Sequence, residues 1–191
     1  MAEGPAVGAE LCWEDWLPLG WRLAPNVSGA ELSHLYDAAL TRLNAVLTVG
    51  EALAAAESSD DAPPRAQDIL RLEARLNLLL AMVGELLAAQ RPRPPARAVR
   101  LGGGWVEWRD PHPPAAGDPV AIELYLNPSI PDPVTLPARV EAVGDPGQGA
   151  AVVRATFLEI PPNVLNAIEK LIFRWHRRRV AEQRRVSPPK F

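Results

Sequence analysis

The residues of this chain with the most to offer a ligand are its arginines, and they gather in two places. Arg91, Arg93, Arg97 and Arg100 fall in one short stretch, and Lys170, Arg174, Arg177, Arg178, Arg179, Arg184, Arg185 and Lys190 crowd the last part of the chain. Guanidinium groups bind phosphates bidentately and stack on planar rings, so either cluster suits an anionic ligand or partner. The stretch from Lys170 to Phe191 contains one acid, Glu182, whereas the whole chain carries a formal charge of −3. The remainder is therefore acidic and attracts its own basic end. Beyond Trp175 the basic run has no interleaved aromatics on which bases would stack, and no helix-turn-helix, zinc or RNP pattern accompanies it. An electrostatically attached tail is the reading preferred over a nucleic-acid contact.

Catalytic chemistry finds little footing. His34, His112 and His176 lie far apart, with neither H-x-x-x-H spacing nor paired cysteines, so no metal site is expected and each histidine reads as a surface residue. Cys12 stands beside Trp13 with no cation close in sequence, which suits a small buried apolar residue better than a nucleophile. Gly102-Gly103-Gly104 matches neither G-x-x-x-x-G-K-S/T nor G-x-G-x-x-G and reads as a tight turn. Glu107, Glu123 and Glu141 fall on strand-like segments, but alternation alone does not pair an acid with a base. No catalytic residue, metal or cofactor is assigned, and an enzyme is not expected.

The elements that must carry the arginines follow from periodicity and punctuation. With 191 residues, 48% of them hydrophobic, and one cysteine, the chain can bury a core without disulfides, and it fits a reducing, cytoplasmic setting. No apolar run approaches the roughly 20 residues of a membrane span, and the start MAEGPAVGAE lacks the charged and apolar regions of a signal peptide. Alternation through Leu19, Trp21 and Leu23 predicts a short strand. Ser28-Gly29-Ala30-Glu31 has the spacing of a capping box, and the apolar residues from Leu32 to Leu53 predict a helix to about Ala56. Pro63-Pro64 opens a second helix, to about Gln90, in which Ile69, Leu72, Leu76, Leu79, Val83 and Leu86 recur at alternating spacings of 3 and 4. A second stripe runs through Leu70, Asn77, Leu80, Gly84 and Leu87. One stripe packs the first helix, so the other buries itself either on the rest of the domain or on another subunit, and self-association through the heptad seam is the reading preferred over a helix sandwiched within one subunit. After Arg91 to Pro95 the period becomes alternating: Ala98–Leu101, Trp105–Arg109, Val120–Leu126, Val134–Val143 and Ala151–Leu158 are read as strands of an antiparallel barrel or sandwich. Pro161-Pro162-Asn163 opens a last helix, basic after Phe173.

The order of these parts resembles the atypical, tetrameric kind of PilZ domain protein. The resemblance rests on Trp16-Leu17-Pro18-Leu19-Gly20-Trp21, two long helices, Pro95-Ala96-Arg97-Ala98-Val99-Arg100-Leu101 followed by Trp105-Val106-Glu107-Trp108, and a terminal helix carrying Arg177-Arg178-Arg179. It implies an α+β fold: a small antiparallel six-stranded barrel, two long inserted helices forming a hairpin or coiled coil, and a basic C-terminal helix. Residues 1–27 would supply the first strand, 28–90 the hairpin that assembles subunits into a tetramer, 91–160 the barrel and 161–191 the basic helix and tail.

Ordinary PilZ domains receive cyclic di-GMP through R-x-x-x-R before the first strand and D/N-x-S-x-x-G in a later turn. Here no arginine precedes the first strand, and the second motif reads Arg100-Leu101-Gly102-Gly103-Gly104-Trp105, with Gly102 in place of the serine and Trp105 in place of the glycine. Arg93-Pro94-Pro95-Ala96-Arg97 has the first spacing but follows the helices. The resemblance thus implies a non-enzymatic signalling adaptor or scaffold with a degenerate site, whose partners are itself and a further signalling protein. The alternatives are a cyclic di-GMP receptor using Arg93, Arg97 and Arg100, and a nucleic-acid binder using the basic tail.

Overall fold

The computed structural model describes residues 12–24, 29–57, 93–128, 130–144 and 149–186, together with nine helical positions between 69 and 86. Among these, six strands appear: β1 (Trp13–Leu23), β2 (Ala96–Leu101), β3 (Trp105–Asp110), β4 (Pro119–Leu124), β5 (Val134–Val143) and β6 (Ala151–Phe157). They close into an antiparallel barrel in the order β1-β2-β3-β6-β5-β4.

Alternation makes the barrel. Val134, Leu136, Ala138 and Val140 of β5 and Ala151, Val153, Ala155 and Phe157 of β6 are all buried, because successive side chains of a strand point to opposite faces. Val99, Val106, Trp108, Ile122 and Leu124 join them in one core. A barrel of this size has room inside for side chains alone, so a ligand must use an end or the outer wall.

The first strand is longer than its alternation predicts, at 11 residues. Its first half, Trp13–Pro18, pairs with β2, Trp13 opposite Leu101, and its second half, Leu19–Leu23, pairs with β4, Leu19 opposite Leu124. The early half owes its structure to a strand far along the chain, which no local pattern reveals. Conversely, β4 stops at Leu124 rather than Leu126, although the Tyr125 N–H still donates to the Pro18 carbonyl at 3.2 Å.

Between β1 and β2 lies α1 (Gly29–Glu57). The expected cap, Ser28, is outside the described residues, but the helix begins beside it. Tyr36, Ala39, Leu43, Val46 and Leu47 form its buried stripe, packed on β5 and on the last helix, α2 (Pro162–Val186). The Tyr36 hydroxyl donates to the Leu158 carbonyl. Burial first, and the Glu159 charge second, push that phenol well above its ordinary pKa.

Pro162 starts α2 where its missing N–H is harmless, and the Pro161 carbonyl accepts from Val164 and Leu165 at 3.1 and 3.0 Å. Val164, Ala167, Ile168, Leu171 and Ile172 are buried in the common core. Further along, the Trp175 ring stacks on Trp13, with centroids 3.7 Å apart and planes 25° off parallel. Arg174 donates to the Leu47 carbonyl and ties α2 to α1. Among the described residues no helix is long and apolar enough to cross a membrane.

Candidate functional site

Alternation along β2 sends its two arginines to opposite faces. Arg97 shares the face of Val99 and Leu101, both buried, whereas Arg100 lies on the other. Arg97 forms an ion pair with Asp110, at the end of β3, and donates to the Arg109 carbonyl at 3.4 Å. Asp110 is 2% exposed and is the one buried charged side chain among the described residues. Three further groups donate to it: the Trp21 indole at 2.6 Å and the Trp108 indole at 3.3 Å to Oδ2, and the His112 backbone N–H at 3.0 Å to Oδ1. Burial alone would raise the pKa of this carboxyl. The His112, Trp21 and Trp108 hydrogen bonds and the Arg97 charge together outweigh burial and hold it below the usual aspartate range.

Arg100 faces Glu107 across the β2–β3 pair, with Nη1 3.2 Å from Oε1. Its Nη2 lies 3.8 Å from the Cys12 Sγ. The Cys12 hydrogen bond, then Glu107, raise the Arg100 pKa above its ordinary value. Arg93 donates to the Pro128 carbonyl at 2.9 Å and lies over the Tyr125 ring, 5.7 Å from its centre. Arg93, Arg97 and Arg100 are thus divided among three sets of partners within the protein, and Arg97 is turned inward.

The turn that would carry the second motif is filled as well. Gly102 donates its N–H to the Trp105 carbonyl at 2.9 Å, and a Cβ on Gly102 would stand 2.4 Å from Trp105 Nε1. The indole occupies the space that the motif's serine would need. Arg154 lies over the same ring at 4.2 Å, from the side of β6.

Cys12 is half-buried, not an enclosed apolar residue as its neighbour suggested, because Arg100 reaches it from β2. His176 also departs from the surface role expected of it: it is half-buried, with Nε2 2.6 Å from the Cys12 carbonyl oxygen. His34 and His112 are exposed.

The residues of the heptad seam share a different fate. Ile69, Leu72, Leu76, Leu79, Val83 and Leu86 are helical and range from 51 to 68% exposed. Leu78 and Met82 add to the same apolar exposure. The stripe through Leu70, Asn77, Leu80, Gly84 and Leu87 lies outside the described residues.

Asp110 escaped the sequence reading, which ended its strand one residue short. The signal was present: Val106, Trp108 and Asp110 share one parity, so continuing the alternation puts the acid inside.

A family model described as an atypical PilZ domain, cyclic di-GMP receptor, matches residues 43–185. The chain belongs to the atypical PilZ domain family. A solved structure has the same fold, with a TM-score of 0.70 and 24% identity over 92% of this chain and 93% of the other. It is described as a pathogenic protein from Xanthomonas campestris with a tetrameric PilZ domain self-assembled via an unusual helical bundle. No curated protein sequence matches the chain. The closed six-stranded barrel with α1 and α2 packed on it is the α+β architecture that the resemblance implied. In the turn after β2 of this PilZ barrel, Trp105 lies over Gly102.

Proposed function

We propose that this PilZ protein is a non-enzymatic cytoplasmic signalling scaffold, assembled from several copies through the 69–86 segment and degenerate for the ordinary cyclic di-GMP site. The observation that carries the reading is the exposed row Ile69, Leu72, Leu76, Leu79, Val83 and Leu86, each more than half exposed in a single chain. Apolar residues at this spacing lose the cost of hydration only when a second helix covers them. The helical-bundle tetramer of the solved relative supports the same mode and a fourfold assembly. Degeneracy is supported by Gly102 beneath Trp105 and by Arg97 held on Asp110. The scaffold's output would pass to another signalling protein.

Leu79→Glu tests the assembly, because each contact across the seam would then bury an unpaired carboxylate at a cost of several kcal/mol. Light scattering should show smaller, still folded particles. An unchanged mass would overturn the assembly reading.

The family's description as a cyclic di-GMP receptor favours a second reading, in which Arg93, Arg97 and Arg100 supply the ligand's partners. Arg97 would first have to leave Asp110. Isothermal titration with cyclic di-GMP at moderate salt separates the two. The scaffold reading expects no saturable heat, and saturable micromolar binding abolished by Arg100→Ala would replace it with the receptor.

A further inference from the structure

The most exposed large apolar side chain among the described residues is not in the seam but on the barrel: Trp16 of β1, at 70%. It forms part of the rim of an open groove of about 500 Å³ between β1 and the second half of α2, which it helps to line. The lining is apolar where the stacked pair of Trp13 and Trp175 meets Leu17 and Leu126. The wall from β1 carries Glu14 and Asp15, and the wall from α2 carries Arg178 and Arg179. Arg179 touches β1 through the Glu14 backbone carbonyl, at 3.3 Å.

One patch therefore holds a projecting indole, a hole with room for an indole, an acidic wall and a basic wall. A two-fold contact requires such a combination, since under that symmetry whatever one surface offers the other must receive. The geometry points to a second copy of this chain as the occupant: Trp16 of each copy enters the groove of the other, with Glu14 and Asp15 against the other copy's Arg178 and Arg179. A small planar anion would satisfy the arginines yet face two carboxylates of its own sign, and an acidic protein segment would meet the same repulsion. A second copy matches both walls in charge. This contact is separate from the 69–86 segment and does not depend on it.

Sedimentation equilibrium of the full chain over a wide concentration range tests the contact. The unaltered protein should show an association step that Trp16→Ala weakens at least about tenfold, as expected for a central tryptophan at an interface. Glu14→Arg and Arg178→Glu should each weaken it, and the doubly reversed chain should regain it, because the reversed walls match again. In the Leu79→Glu chain the step should persist as a dimer. If Leu79→Glu leaves the mass unchanged, the seam reading fails while Trp16→Ala in the otherwise unaltered chain still tests the groove. Equal sedimentation of Trp16→Ala and the unaltered chain, or charge reversals that add without rescue, would overturn the proposal. So would a Leu79→Glu chain that stays monomeric throughout, whatever ligand the groove were then found to hold.

Discussion

Asp110 is a full charge inside a barrel end, tolerable because Arg97, Trp21, Trp108 and the His112 backbone all donate to it. Removing one partner of a buried pair leaves the other uncompensated, at about 3–5 kcal/mol. Asp110→Ala and Arg97→Ala are therefore each expected to lower stability to urea by about that amount, and the double variant by less than the sum. Acid sensitivity follows from the same residue. Its carboxyl titrates below its unfolded value of about 3.9, so its contribution is complete above that pH and fades as pH falls through the folded value. Acid unfolding followed by tryptophan fluorescence should show this: Asp110→Asn loses stability at neutral pH and has a flatter dependence below about pH 4. Residues of this kind were only half legible. Arginine types and spacing marked Arg93, Arg97 and Arg100, but their division among separate partners depends on which face of β2 each occupies and on residues as distant as Pro128.

The hairpin of β2 and β3 shows how one ring changes an element. Trp105 fills the space above Gly102, so Gly102→Ser, which recreates the serine of the ordinary PilZ motif there, must push the indole aside. A loss of about 1–3 kcal/mol is expected, as for overpacking elsewhere, together with an altered near-ultraviolet circular dichroism band. A variant as stable as the parent would show that the turn rearranges freely. Much of the element plan was legible because the apolar period changes from 3.6 to 2 after Pro95, and turn residues separate each strand. β1 was not fully legible, since its two halves answer to β2 and β4. The seam at 69–86 was the clearest pattern in the sequence, and its exposure agrees with the proposed assembly, since a stripe serving another helix would be held to a stricter repeat than one packed on an irregular neighbour.

At the scale of the whole molecule, association and stability are one equilibrium. Anything that binds the folded chain and not the unfolded one raises its melting temperature by mass action. Calorimetry should find a Tm that rises with chain concentration, less steeply in Leu79→Glu; a concentration-independent Tm in the parent would contradict assembly through the seam. The charge distribution acts over the same range. Arg174 and Arg179 already bond to carbonyls of α1 and β1, so the start of the basic run is engaged by the body it would be attracted to. The closure of the six strands into a ring has a last consequence. A closed ring has no edge strand: each of the six described strands is paired on both sides over part of its length, so none offers its whole row of backbone N–H and C=O groups to a passing peptide. Recruitment by addition along a whole strand, open to so many β-sheet adaptors, is thereby disfavoured. Whatever it engages must read side chains, so its specificity can drift by single surface substitutions while the sheet beneath stays the same.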